Sequence, residues 1–411
     1  MDRRTNWSGN YEYRARGYFE PSSLDELQQL VLNHHRIRAV GTGHSFTEIA
    51  DAPEARISLR RIPTETVIDG DTVTVGAAIR YGDLARTLQD AGRALNNLAS
   101  LPHISVAGAV ATATHGSGMR VGNLASAVVG LELLRSDGEL VTLDPSHPDF
   151  AGAVVSVGAL GIVTRLSLAT EPSYDIAQVV FLDFAWGEVL ANFDQIMACA
   201  YSVSMFTNWR DAGVQQVWTK SRDGAVAELL GRSPAEGRQH PILGNPADFA
   251  TEQGGIAGPW NERLPHFRFE FTPSNGDEIQ SEYLIGREHA EAAIEALRAV
   301  APQFADLLLV SEIRTVAADD LWLSTAYGRD SVAFHFTWKL DQRAVEAAVL
   351  VIEAALAPFD ARPHWGKVFH EAPAYPRGDD FRDLMERYDV SGAFRSPLLD
   401  RALRAGERPR A

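Results

Sequence analysis

The apolar positions of the first 170 residues fall into short extended runs and two helical ones. After Ser23, the positions Leu27, Leu30 and Val31 repeat at helical spacing, and Ser23 with Glu26 three residues on makes a capping-box start. Residues 37–40 read as a strand that runs directly into a glycine-bearing loop at 41–46. Extended runs at 66–68 and 72–75 flank a turn at Asp69-Gly70, and runs at 128–135 and 140–143 flank a second turn at Asp137-Gly138. A helix is predicted over 81–91, ended by Gly92, and one more strand over 158–168. The pattern shifts after Pro172, which marks a boundary.

Residues 212–265 are rich in glycine and proline, show no clear period and read as long connecting loops. Beyond them the pattern predicts a strand at 279–285, a helix at 288–300, strands at 307–316 and 332–340, a helix at 344–356 and a strand at 362–369. That β-α-β-β-α-β order puts both helices on one face of a sheet and leaves the other face free for a second domain to dock. An α+β fold in two domains is expected: residues 1–172, residues 173–372, and a segment 373–411 that returns to the first.

A chain of 411 residues exceeds one compact core, so a cofactor domain plus a substrate domain fits its length. The formal charge of -16 opposes nucleic acid and anionic membranes and suits a neutral or polar small molecule. Cys199 is the one cysteine, which excludes an internal disulfide and any cysteine-built metal site, and points to a reducing cytoplasm. The first twenty residues lack a secretory apolar stretch, and no run of about 18 apolar residues occurs. No metal and no membrane partner are expected. The helices are amphipathic enough to be covered by their own sheet, which favours a monomer, and the Arg-rich tail 401–410 reads as a solvated end.

Two loops carry candidate chemistry. In Gly41-Thr42-Gly43-His44-Ser45-Phe46 the glycines allow convergent amides that could hold a pyrophosphate, although a plain Gly-x-Gly turn with an exposed histidine is equally compatible. The loop is neither a Walker A motif nor Gly-x-Gly-x-x-Gly. The run 105–118 consists almost wholly of small or hydroxyl-bearing residues, and either lines a phosphate and a flat ring edge or serves as a packing element. On the later strands, Glu312 and Arg314 share a face, His335 and Thr337 share a face, and Trp365, Lys367 and Phe369 share another. Such positions are the solvent side of a half-buried sheet or a polar wall. The mixture of carboxylate, guanidinium, imidazole, hydroxyl and ammonium, with Trp338, Trp365 and Phe369 nearby, suits a polyol, whose hydroxyls both donate and accept.

Together the two loops resemble the pyrophosphate-binding elements of the vanillyl-alcohol-oxidase (PCMH-type FAD-binding) family. The stretches 40–46, 98–118, 311–317, 333–338 and 362–369 are similar, in order and spacing, to those of its alditol-oxidase branch, with aldonolactone oxidoreductases as cousins. The resemblance implies FAD bound by Gly41, Thr42, Gly43, His44, Ser45, Phe46, Ala99, Ser100, Ser105, Gly108, Thr112, Ala113, Thr114, His115, Gly118, Ile162 and Val163. It implies one covalent bond from an imidazole nitrogen of His44 to the flavin 8α-methyl, since the second loop offers no cysteine. It places Ser100, Glu312, Arg314, Thr337 and Lys367 around the substrate.

On that basis the expected activity converts the terminal primary alcohol of a linear polyol (xylitol, sorbitol, glycerol) to the aldehyde, with O2 reduced to H2O2. Arg314 and Lys367 would stabilise the developing oxyanion. His335 is the candidate proton acceptor by residue type, or else a wall residue. Ala99 is either a small side chain leaving room for oxygen or a packing alanine. Where relatives carry Gly-Lys-Phe-x-Asn near the C-terminus this chain has Gly392-Ala393-Phe394-Arg395-Ser396, so any FAD contact of that Lys or Asn lacks its side chain here. A dehydrogenase or aldonolactone-type enzyme with a non-oxygen acceptor, and a flavin-binding protein without turnover, are the alternatives.

Overall fold

The computed structural model describes residues 4–210, 212–270, 277–371 and 374–404. The expected boundary at 372–373 and the tail beyond Arg404 lie outside the described residues.

The N-terminal part holds two larger sheets, beside a two-stranded pairing of Arg93–Ala94 with Glu171–Pro172. Strands β1 (Gly17–Phe19), β2 (Ile37–Ala39) and β3 (Ala55–Ile57) form a parallel sheet in the order β1-β3-β2. Strands β4 (Val67–Asp69), β5 (Thr72–Gly76), β6 (Val128–Leu134), β7 (Leu140–Leu143) and β8 (Ile162–Ala169) form an antiparallel sheet in the order β4-β5-β8-β6-β7. Both expected hairpins are present. Helix α1 (Leu24–Leu32) starts at Ser23, whose side chain accepts from the Glu26 N–H, and α2 (Tyr81–Asp90) is followed by Gly92 at φ +69°. The small-residue run, read as a loop, contains a six-residue helix α3 (Val106–Ala111), because its alanines and valines bury Val106, Ala109 and Val110.

The remaining strands make one eight-stranded sheet. In chain order they are β9 (Asp175–Ala185), β10 (Ser202–Thr207), β11 (Gly213–Ser221), β12 (Gly258–Pro259), β13 (Glu278–Gly286), β14 (Leu308–Val316), β15 (Ser331–Lys339) and β16 (Arg362–Pro363). The order across the sheet is β12-β9-β11-β10-β14-β15-β13-β16. The second half is the expected split unit, with α6 (Ala290–Val300) and α7 (Gln342–Leu356) on one face. The first half repeats the same strand order, with α4 (Trp186–Ala191) and α5 (Phe193–Ala198) between β9 and β10, and the two units meet edge to edge at β10 and β14. All four helices share one apolar core on one side of the sheet.

Two expectations are corrected here. The stretch 212–265 is not loop throughout, since it contains the nine-residue strand β11; the rest covers the free face of the first unit, packing Ala250 on Val180, Phe206 and Trp218. The strand expected at 362–369 pairs only at Arg362–Pro363. His364 N–H still donates to Glu282 O (2.9 Å) and Val368 N–H to Gln280 O (2.8 Å), so residues 365–367 bulge out of the ladder between two ordinary rungs. Helices α8 (Gly378–Tyr388) and α9 (Pro397–Arg404) return to the N-terminal part, where Phe381, Leu384 and Leu399 join its core.

Candidate active site

A cavity of about 1340 Å³ separates the small-residue loops from the uncovered face of the second sheet unit. On the loop side, Gly41 has no side chain because the Ser105 hydroxyl occupies the place a Cβ would take, and Gly43 sits at φ +74°. Phe46 N–H donates to Gly366 O (2.8 Å), tying this loop to the bulge that carries Lys367. His44 is half-buried; its Nδ1 lies 2.9 Å from Thr42 Oγ1 and its ring stacks on Trp7 with centroids 4.9 Å apart. Burial, and next the nearby His103, lower the imidazole to about 4, so it is neutral at physiological pH.

The facing wall follows strand alternation. On β13, β14 and β15 one face presents Ile279, Tyr283, Ile313, Phe334, Phe336 and Trp338 to the helices, and the other face turns Gln280, Glu282, Glu312, Arg314, His335 and Thr337 into the cavity. Glu312 pairs directly across from His335, and Glu282 does so from the other side. Glu282 is the hub: Oε1 accepts from Arg314 Nη2 at 2.6 Å and Oε2 from Lys367 Nζ at 2.5 Å, with His115 Nε2 at 3.4 Å. Burial alone would raise this carboxyl, but Lys367, Arg314 and His115 hold it well below the usual carboxylate range. Lys367 Nζ also donates to His335 Nδ1 (2.6 Å), so the ring carries its proton on Nε2, 3.0 Å from Thr337 Oγ1. Burial and then Lys367 lower His335 to about 4. Arg314 Nη1 reaches Ser100 Oγ at 3.4 Å, which brings the N-terminal loop to the same point.

Of the expected cofactor residues, Gly41 to Phe46, Ala99, Ser100, Ser105, Gly108, Thr112, Thr114, His115 and Val163 line the cavity. Ala113, Gly118 and Ile162 do not: Ala113 and Ile162 are buried in apolar cores, and Gly118 bridges to Val316. The expected substrate residues Ser100, Glu312, Arg314, His335, Thr337 and Lys367 converge. The aromatic part of that wall is corrected. Trp338 stacks on Phe336 on the helix side, and Trp365 stacks on Tyr375 inside the N-terminal core, because the 365–367 bulge turns neighbouring side chains apart. Glu282 was missed, although its place in the alternation Glu278, Gln280, Glu282 matches that of Glu312 and Arg314. His266, whose Nε2 lies 2.8 Å from Glu312 Oε1, left no signal, being in a stretch without period.

Residues 15–144 match the family model of the FAD binding domain, and residues 274–402 match that of D-arabinono-1,4-lactone oxidase. Alditol oxidase of a Streptomyces species is 46% identical over 96% of this chain and 97% of its own. L-gulono-1,4-lactone dehydrogenase of Mycobacterium tuberculosis is 26% identical over 97% and 98%. Among solved structures, a solvent-stable cholesterol oxidase superposes with a TM-score of 0.78 at 16% identity, covering 96% of each chain, which speaks to the fold. Fold and site thus define an FAD-dependent oxidoreductase of the vanillyl-alcohol-oxidase type. The chain belongs to the alditol oxidase family.

The cavity fits that cofactor. Its volume exceeds the roughly 300–1,000 Å³ of ordinary small-molecule pockets, so a dinucleotide and a small substrate can share it. The missing side chain at Gly41 lets the Ser105 hydroxyl lie against the loop on the cavity wall, and His103 Nδ1, also on that wall, is buried without a partner among the described residues. Among the described residues no helix is long and apolar enough to cross a membrane, and no cluster of metal-ligating side chains occurs.

Proposed function

We propose that the chain oxidises the terminal primary alcohol of a linear polyol, such as xylitol, sorbitol or glycerol, to the aldehyde, with O2 reduced to H2O2. The observation that carries this reading is the convergence of buried Glu282, Glu312, Arg314 and His335 with half-buried Lys367 at one end of a cavity whose other walls are small-residue loops. FAD, when bound, supplies the hydride acceptor. Arg314 and Lys367 place positive charge where the carbinol oxygen becomes anionic. Glu312, Ser100 and Thr337 hold the remaining hydroxyls and so decide which carbon is presented. His335 is neutral, and as Lys367 turns to the oxyanion it frees Nδ1 to take the hydroxyl proton, with Glu282 3.8 Å away as counter-charge. Ala99 keeps that end of the cavity open to oxygen.

Residues 1–172 are taken as the FAD-binding domain, 173–372 as the substrate domain and 373–411 as a segment of the first, which the packing of α8 and α9 supports. The covalent attachment is assigned to His44: the neutral imidazole is a competent nucleophile, held by Thr42 and Trp7. After acid denaturation the flavin colour is expected to stay with the wild-type polypeptide, with intact mass raised by one FAD, and to pass into the supernatant for His44→Ala. Colour released from the wild type would remove the link. Helices covered by their own sheet support a monomer.

Purified, FAD-loaded protein is expected to form peroxide with xylitol or sorbitol; yellow protein that forms none would sink the substrate assignment. A second reading, a lactone-oxidising enzyme with a non-oxygen acceptor, draws for its substrate on the lactone-oxidase match over residues 274–402 and for its acceptor on the similarity to L-gulono-1,4-lactone dehydrogenase. Anaerobic bleaching by L-gulono-1,4-lactone but not by polyols, followed by slow recolouring in air, would favour it.

A further inference from the structure

Lys220, on β11, is 1% exposed and belongs to none of the groups assigned above. Its ammonium reaches Leu264 O, Pro265 O (3.1 Å) and His266 Nδ1 (3.0 Å). His266 Nε2 in turn lies 2.8 Å from Glu312 Oε1, and the His266 ring is boxed by the edges of Phe206 and Trp218. The main chain of the same residue donates to Ser100 O at 3.1 Å, with Phe267 N–H reaching that oxygen at 3.4 Å.

The proton positions follow by elimination. Burial would raise the Glu312 carboxyl, but Arg314 and His266 hold it well below the ordinary range, so it is ionised and only accepts. Nε2 of His266 is therefore the donor. Burial lowers His266 to about 4, so the ring is neutral with its lone pair on Nδ1; Lys220, which burial lowers to about 7, is an ammonium below that pH and then donates there as well as to two carbonyls, using all three of its N–H bonds. Two residues assigned to the polyol, Glu312 from the sheet and Ser100 from the N-terminal loop, thus hang on residues 264–267.

We propose that Lys220 is a positioning residue for substrate recognition: by donating to Nδ1 it holds the His266 ring in the orientation from which Nε2 donates to Glu312. The inference rests on the reading of Glu312 as a polyol contact. Without Lys220, Nδ1 is left without a donor and the ring loses the contact that sets its rotation, while Glu312 alone still selects the proton on Nε2. Glu312 then loses its fixed orientation.

The test uses FAD-loaded enzyme and xylitol. Loss of one charge-assisted hydrogen bond predicts that Lys220→Met raises KM by about ten-fold while kcat changes little. His266→Gln keeps an N–H donor for Glu312 and should raise KM less than His266→Phe, which has none. In the His266→Phe background, where the contact to Glu312 is already gone, Lys220→Met should add less than it does in the wild type. An equal KM penalty in both backgrounds would mean that Lys220 is only structural and overturns the proposal. If Lys220→Met does not fold, His266→Gln against His266→Phe decides: Phe should match the KM of Glu312→Leu and Gln should not, and equal effects overturn the relay. Glu312→Leu with an unchanged KM would instead overturn the reading of Glu312, and the relay with it.

Discussion

Lys367→Met is expected to lower kcat/KM for polyol oxidation by about 10²–10³-fold, the usual consequence of removing one donor aimed at a developing oxyanion. Lys367 projects from a bulge tied to both walls: its neighbours reach Glu282 O, Gln280 O and Phe46 N, so its position is set by backbone on three sides. Methionine keeps the length and apolar stem but removes the charge. Glu282 retains Arg314, so the fold and the FAD content should survive. Anaerobic stopped-flow reduction by xylitol is the measurement. Flavin reduction at the wild-type rate would show that the ammonium is not at the reacting oxygen.

Glu282→Leu should have the largest effect on stability. The carboxylate is 1% exposed and lies between Arg314 and Lys367, and removing it leaves the buried guanidinium and the half-buried ammonium facing one another. Breaking a buried charge cluster from one side costs about 3–5 kcal/mol, and activity should fall to background because both oxyanion donors lose their anchor. The effect has a pH signature. The folded carboxyl is held well below its unfolded value, so its contribution is fully present above about pH 4.5 and is lost as pH falls toward the folded value. The stability gap between wild type and Glu282→Leu, measured by denaturant unfolding, should be constant from pH 7 to 5 and shrink below about pH 4. A gap that stays the same at pH 3 would contradict the assignment of charge to this cluster.

Much of the second sheet unit was readable because its strands bury one face against helices and turn the other to the cavity. A period of two survives in such strands, and it puts Glu312, Arg314, His335 and Thr337 on one side without any knowledge of the fold. The glycine loop was readable for a different reason: Gly41 and Gly43 answer local steric demands, a filled Cβ position and a positive φ, that leave a mark in the sequence.

The first sheet unit was not readable. Strands β9 and β11 are covered on both faces, by helices on one and by residues 222–268 on the other, so β9 is a nearly continuous apolar run and β11 carries its polar residues inside. Lys220, Gln178 and Gln216 look like surface residues until their partners arrive from the loop that covers them.

Residue types, strand faces and the two loops are local properties, and the sequence determined them alone. The tertiary structure decided which charges meet: Glu282 became the hub because β13 inserts beside β15, Lys367 entered the cavity while Trp365 left it because three residues bulge from a ladder, and His266 reached Glu312 only through a strap nailed down by Lys220. Those side-chain hydrogen bonds join residues from 32 to 85 positions apart, and no periodicity along a chain encodes pairings at that range.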